Sequence, residues 1–131
     1  MKEQRMPGIV HGQRTIYVSK DGKRKRIICD GGVVPLVKRM WGDGFETVFS
    51  CEGSRDDPKL PPYVAIRNTP RLHEAHQLVQ SFWSDCIIAM DTLLYGNVIF
   101  YALPDKRFEE QFMDALETKK NYVIKGAANG E

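Results

Sequence analysis

Phe45-Glu46-Thr47-Val48-Phe49-Ser50-Cys51-Glu52-Gly53-Ser54-Arg55 is the stretch on which the fold turns. An alternating apolar run, suited to a half-buried strand, drives into a cluster of small, polar and charged residues. Before it lies a helix-like segment ending in Trp41-Gly42-Asp43-Gly44, and after it Tyr63-Val64-Ala65-Ile66-Arg67 reads as a second strand. The connection of about a dozen residues is too short for a packed crossover helix with its loops. It also contains Pro58, Pro61 and Pro62, which resist helix formation. The two strands are therefore expected to be antiparallel neighbours.

Working outward, Val34, Val37, Met40 and Trp41 keep helical spacing, Pro35 suits a first helical turn, and Gly42 and Gly44 stop the helix. Downstream, Asn68-Thr69-Pro70 reads as an N-cap followed by proline at the first helical position. Leu72, Ala75, Val79, Phe82 and Trp83 form the apolar stripe of that helix. Residues 86–94 and 97–103 read as two apolar strands. Pro104-Asp105 opens a last helix with Phe108, Phe112, Ala115 and Leu116 inward, and Tyr122-Val123-Ile124 is a possible edge strand.

Upstream, Thr15 to Ser19 and Arg24 to Cys29 are β-favouring runs on either side of Lys20-Asp21-Gly22-Lys23. Asp-Gly between two such runs signals a hairpin, because a type I′ turn needs positive φ at both central positions. The order is ββ-αββ-αββ-α. It predicts an α+β fold: an antiparallel sheet with helices on one face. Residues 1–13 are expected to be an irregular arm, 14–125 a single α+β domain with a projecting basic hairpin, and 126–131 a flexible tail.

The 131 residues, 42% hydrophobic and 27% charged, suit one soluble globular domain with its own core. The net charge of +2 does not demand a nucleic-acid partner, but it is unevenly placed. Residues 1–30 hold eight Lys/Arg against three Asp/Glu, and the rest of the chain is slightly acidic. Three scattered cysteines, Cys29, Cys51 and Cys86, argue against a disulfide framework and for a reducing compartment. No signal-peptide h-region or membrane-length apolar run is read, so the expected location is the cytoplasm, without a membrane partner.

Two stretches are candidates for function. In the hairpin, strand alternation puts Arg24 and Arg26 on one face and Lys23 and Lys25 on the other. Such a cluster is suited to phosphates, and Tyr17 on the adjoining strand to stacking a base. The plainer alternative is a solvated ribbon whose charges block edge-to-edge pairing. In the second stretch, Ser50, Cys51, Glu52, Gly53, Ser54 and Arg55 could bring together a thiolate, a carboxylate and backbone N–H groups aimed at an anion. The preferred reading of Cys51 is nonetheless a buried small hydrophobe, with no catalytic residue assigned. His73 and His76 lie three apart on a predicted helix, within reach of a shared metal, but His76 falls in the apolar stripe and His73 outside it. No metal and no cofactor are expected. Walker, dinucleotide-binding, zincin and nucleophile-elbow patterns are all missing from the sequence.

The segment from Val34 to Ile66 resembles a loose group of small phage and bacterial proteins. They share a helix, a Gly-containing turn, an aromatic/Thr strand and a Ser-Cys-x-Gly turn, here Gly44-Phe45-Glu46-Thr47 to Ser50-Cys51-Glu52-Gly53. Ser50, Cys51 and Gly53 are also similar to the strand-end signature of the wybutosine-synthesis methyltransferases. Glu52 stands where that family has a small polar residue, and Ser54 separates Gly53 from Arg55. The first resemblance implies a non-enzymatic accessory protein that binds nucleic acid or a host protein. The second implies an enzyme acting on RNA or a nucleotide. A module that only binds protein is the third expectation.

Overall fold

A computed structural model describes residues 12–53, 60–93 and 96–129, with side chains described up to residue 118. The residues of the expected N-terminal arm, apart from 12 and 13, lie outside the described residues, as do Ser54 and Arg55.

The element order is β1 (Gln13–Lys20), β2 (Lys23–Asp30), a 3-10 turn (Gly31–Val33), α1 (Val34–Gly42), β3 (Thr47–Cys51), β4 (Tyr63–Arg67), α2 (Leu72–Phe82), β5 (Ile87–Leu93), β6 (Asn97–Leu103) and α3 (Lys106–Asn129). The fold is α+β in the expected order. β1 and β2 form a ribbon of their own, and the other strands form a sheet ordered β3-β4-β6-β5. Every pairing is antiparallel, β3 with β4 included.

Local chemistry explains the turns. Asp21 and Gly22 have φ of 53° and 77°, the left-handed pair that closes a tight hairpin. Asp105 Oδ1 accepts the Phe108 N–H at 2.9 Å and caps α3. The start of α2 differs from expectation. Thr69 Oγ1, not Asn68, receives the Arg71 N–H, and the helix begins at Leu72 after Pro70 has turned the chain. α3 takes in Tyr122-Val123-Ile124, so there is no edge strand there, and it runs on to Asn129 across most of the expected tail.

One buried cluster joins the ribbon, α1, α2 and one face of the sheet. It contains Ile16, Val18 and Cys29, then Leu36, Val37, Met40 and Trp41, Ala75 and Val79, and Val64, Ile66, Val98, Phe100 and Ala102. The register places Val64 opposite Phe100 and Ile66 opposite Val98, so these side chains share a face. Tyr63, Ala65, Ile99 and Tyr101 point the other way. Phe112 of α3 meets Tyr101 there, with ring centroids 4.5 Å apart. The expectation of helices on one face therefore holds for α1 and α2 and fails for α3. The reason lies in β4 and β6, which carry apolar side chains on both faces, and both faces need cover.

No helix among the described residues is long and apolar enough to cross a membrane.

Candidate functional site

The ribbon is built as two unlike faces. Ile16 and Val18 of β1 and Cys29 of β2 are buried toward α1. Lys25 shares that inner side and holds its ammonium 5.5 Å from the Trp41 ring centroid. The ribbon thus lies against α1 and does not project freely, which corrects the expectation of a projecting hairpin. Paired residues of antiparallel strands share a face, so the outer side carries Ser19 with Arg24, Tyr17 with Arg26, and Thr15 with Ile28. The division of the four basic residues is as alternation predicts. The Arg24 guanidinium lies over the Tyr17 ring, 4.0 Å from its centroid. Tyr17 is 51% exposed and Ile28 54%. None of the ion pairs among the described residues engages Lys23, Arg24, Lys25 or Arg26.

Two ties fix the ribbon to the sheet. Near the hairpin tip, Glu46 pairs with both Lys20 and Arg67 of β4. At the base, the Glu52 N–H donates to Asp30 Oδ2 at 3.0 Å, and Glu52 Oε1 accepts the Gly32 N–H at 2.6 Å. A Cβ on Gly32 would stand 2.6 Å from Glu52 Oε1 and 3.0 Å from Glu52 Cβ, so a larger residue here would push the Glu52 side chain off its present position.

This geometry gives the Ser50–Gly53 turn a role. Its N–H groups are spent inside the protein: that of Glu52 on Asp30, and that of Gly53 on Cys51 Sγ at 3.3 Å. Gly53 has a φ of 57°, and a Cβ there would stand 2.5 Å from the Pro62 nitrogen. The turn is a clasp between the end of β2 and the end of β3. Burial pushes the Cys51 thiol up, and the Asp30 and Glu52 carboxylates add to this against the opposing Gly53 N–H. A thiol held protonated among carboxylates is a poor nucleophile.

Beside Cys51 a cleft of about 530 Å³ opens between the second sheet face and α3. The rings of Phe49, Tyr63, Tyr101 and Phe112 follow one another along it, at centroid separations of 5.9, 6.1 and 4.5 Å. Burial raises the Tyr63 and Tyr101 phenols, with contributions from Cys51 at Tyr63 and from Asp91 at Tyr101. Across the sheet, a groove of about 550 Å³ runs between α1 and α2. There Arg71 lies over Phe45, donates to the Asp43 carbonyl and pairs with Glu74.

His76 sits edge-on against Phe100, while His73 is exposed, matching their places on the helical wheel. Among the described residues no group of three His, Cys, Asp or Glu could hold a metal ion.

Sequence reasoning named Tyr17 and the four basic residues but missed Ile28, which shares strand parity with Arg24 and Arg26. It also missed Asp30, Gly32 and Glu46. Their roles depend on partners about twenty residues away, for which no local signal exists. Neither family models, nor curated proteins, nor solved structures give a match to this chain.

Proposed function

We propose that this protein is a non-enzymatic accessory protein that binds nucleic acid through the outer face of the β1–β2 ribbon. The observation carrying this reading is the composition of that face. Arg24 and Arg26 flank a half-exposed Tyr17, and none of the ion pairs among the described residues takes up either guanidinium. Guanidinium groups so placed, on a surface whose remainder is slightly acidic, set up a local positive potential that draws an anionic backbone to this end first. The inner face supports the reading by fixing the ribbon: Lys25 on Trp41, Lys20 on Glu46, and the clasp at Glu52. The spent N–H groups and raised thiol of the Cys51 turn favour binding over catalysis.

The test is an affinity series against salt for wild type and Arg24→Ala/Arg26→Ala. For each phosphate that is no longer neutralised, the log–log salt slope flattens by about 0.9 on a duplex and about 0.7 on a single strand. The double variant should neutralise up to about two fewer phosphates than wild type and bind more weakly across all sequences alike. Equal affinity and slope in the two proteins, or no binding by wild type, refutes the proposal.

A further inference from the structure

We infer that the outer face of the ribbon takes single-stranded nucleic acid, with an unstacked base seated on the Arg24–Tyr17 pair. This rests on the nucleic-acid reading above and narrows it to one form of the polymer.

The argument starts from what the face contains besides charge. Its three rows, Ser19/Arg24, Tyr17/Arg26 and Thr15/Ile28, are spaced about 6.8 Å along the strands, two residues apart. The middle row centres on an aromatic ring, and the last ends in an aliphatic side chain, both about half exposed. Against a duplex these two groups find little to match. A duplex offers phosphates and base edges, and its base faces are stacked against one another. A ribbon entering the major groove reads those edges with hydrogen-bonding side chains. Of the groups on these rows that suit base edges, Arg24 is laid over the Tyr17 ring, Ser19 and Thr15 are short, and Arg26 alone is left to reach an edge, while Tyr17 and Ile28 have no counterpart there.

A single strand offers what the face lacks a partner for. Its bases present open π-faces, which stack on aromatic rings and on guanidinium planes alike. The Arg24 guanidinium already lies 4.0 Å from the Tyr17 centroid, so a base can add to the pair as a third layer. Arg26, directly opposite Tyr17, is placed to meet the adjoining phosphate. Asp30, at the foot of this face, has Oδ2 taken by the Glu52 N–H. The platform is also held in place before binding, because Ile16, Val18 and Cys29 anchor its back in the core. The ordering cost of binding is correspondingly low.

The experiment measures binding of the full chain to a short single-stranded RNA, a single-stranded DNA of the same sequence, and the DNA duplex, at a series of salt concentrations common to all three. Wild type is compared with Tyr17→Ala, Tyr17→Phe and Arg24→Ala/Arg26→Ala. The expected result is tighter binding to single strands than to the duplex. Tyr17→Ala should weaken single-strand binding by about 5- to 150-fold, the range for removing one stacked ring, and leave the salt slope unchanged. Tyr17→Phe should retain most of the affinity, which shows that the ring and not the hydroxyl is used. A preference for RNA over DNA would point to a 2′-hydroxyl contact and equal affinity to stacking and phosphates alone; either supports the inference. Duplex binding at least as tight as single-strand binding, with Tyr17→Ala unchanged, overturns the inference. It leaves the broader reading standing if the double arginine variant still loses affinity. No binding to any of the three polymers overturns both.

Discussion

Glu52→Ala tests the clasp that joins the ribbon to the sheet. The substitution takes from the Gly32 N–H a carboxylate acceptor at 2.6 Å in a half-buried setting. A hydrogen bond to a charged group contributes about 1.5–3 kcal/mol. Water reaches part of this half-buried site and reduces that contribution. The expected net loss is about 1–2 kcal/mol. Glu52→Gln keeps an oxygen acceptor and removes only the charge, so it should cost about 0.5 kcal/mol. The assay is equilibrium unfolding in urea. With a slope of about 2 kcal/mol/M, the alanine variant should lower the midpoint by about 0.5–1 M and the glutamine variant by about 0.25 M. A wild-type midpoint in the alanine variant would show that the Gly32 bond contributes nothing, and the clasp would then be only an incidental approach of two loops.

Phe100 is fully buried at the centre of the core, and Phe100→Ala should cost about 3–5 kcal/mol, enough to leave a chain of this size close to unfolded in a thermal melt. Gly22→Ala forces a side chain into a φ of 77°, and its melting curve should show a loss of about 1–2 kcal/mol. A wild-type melting temperature in this variant would mean that the turn is not held as described. The Cys29 and Cys51 thiols and the Tyr63 and Tyr101 phenols are all raised by burial, so the folded state holds their protons more tightly than the unfolded chain does. Their contribution is complete below the ordinary thiol value of about 8.5 and is lost as pH rises through the raised folded values. The urea midpoint should accordingly fall with increasing pH above about 8.5, and a midpoint that stays level through the alkaline range contradicts the assignment. Purified protein should carry well below one equivalent of zinc by elemental analysis; a full equivalent that disappears on Cys51→Ala would overturn that expectation.

Much of this protein is legible in the chain itself, because the signals involved are local. Asp21-Gly22 supplies the two left-handed residues of a hairpin turn, and no distant residue is needed to read it. Alternation alone separates Arg24 and Arg26 from Lys23 and Lys25. The short, proline-containing link between β3 and β4 excludes a crossover, and so their antiparallel pairing follows from chain length. What tertiary structure decided is where these elements meet. Helical periodicity shows that Phe112 lies on an apolar stripe, but not which side of the sheet that stripe will cover. The available clue was the unbroken apolar run in β4 and β6, which calls for cover on both faces. The Cys51 turn looked like a site because small, acidic and thiol side chains were adjacent in sequence. Folding brings Asp30 and Gly32 against it, ties its N–H groups up inside the protein, and raises the thiol it holds. An anion site or a reactive cysteine depends on which polar groups remain unpaired and on the charge around them. Those are set by residues about twenty positions away, and only the folded chain brings them into contact.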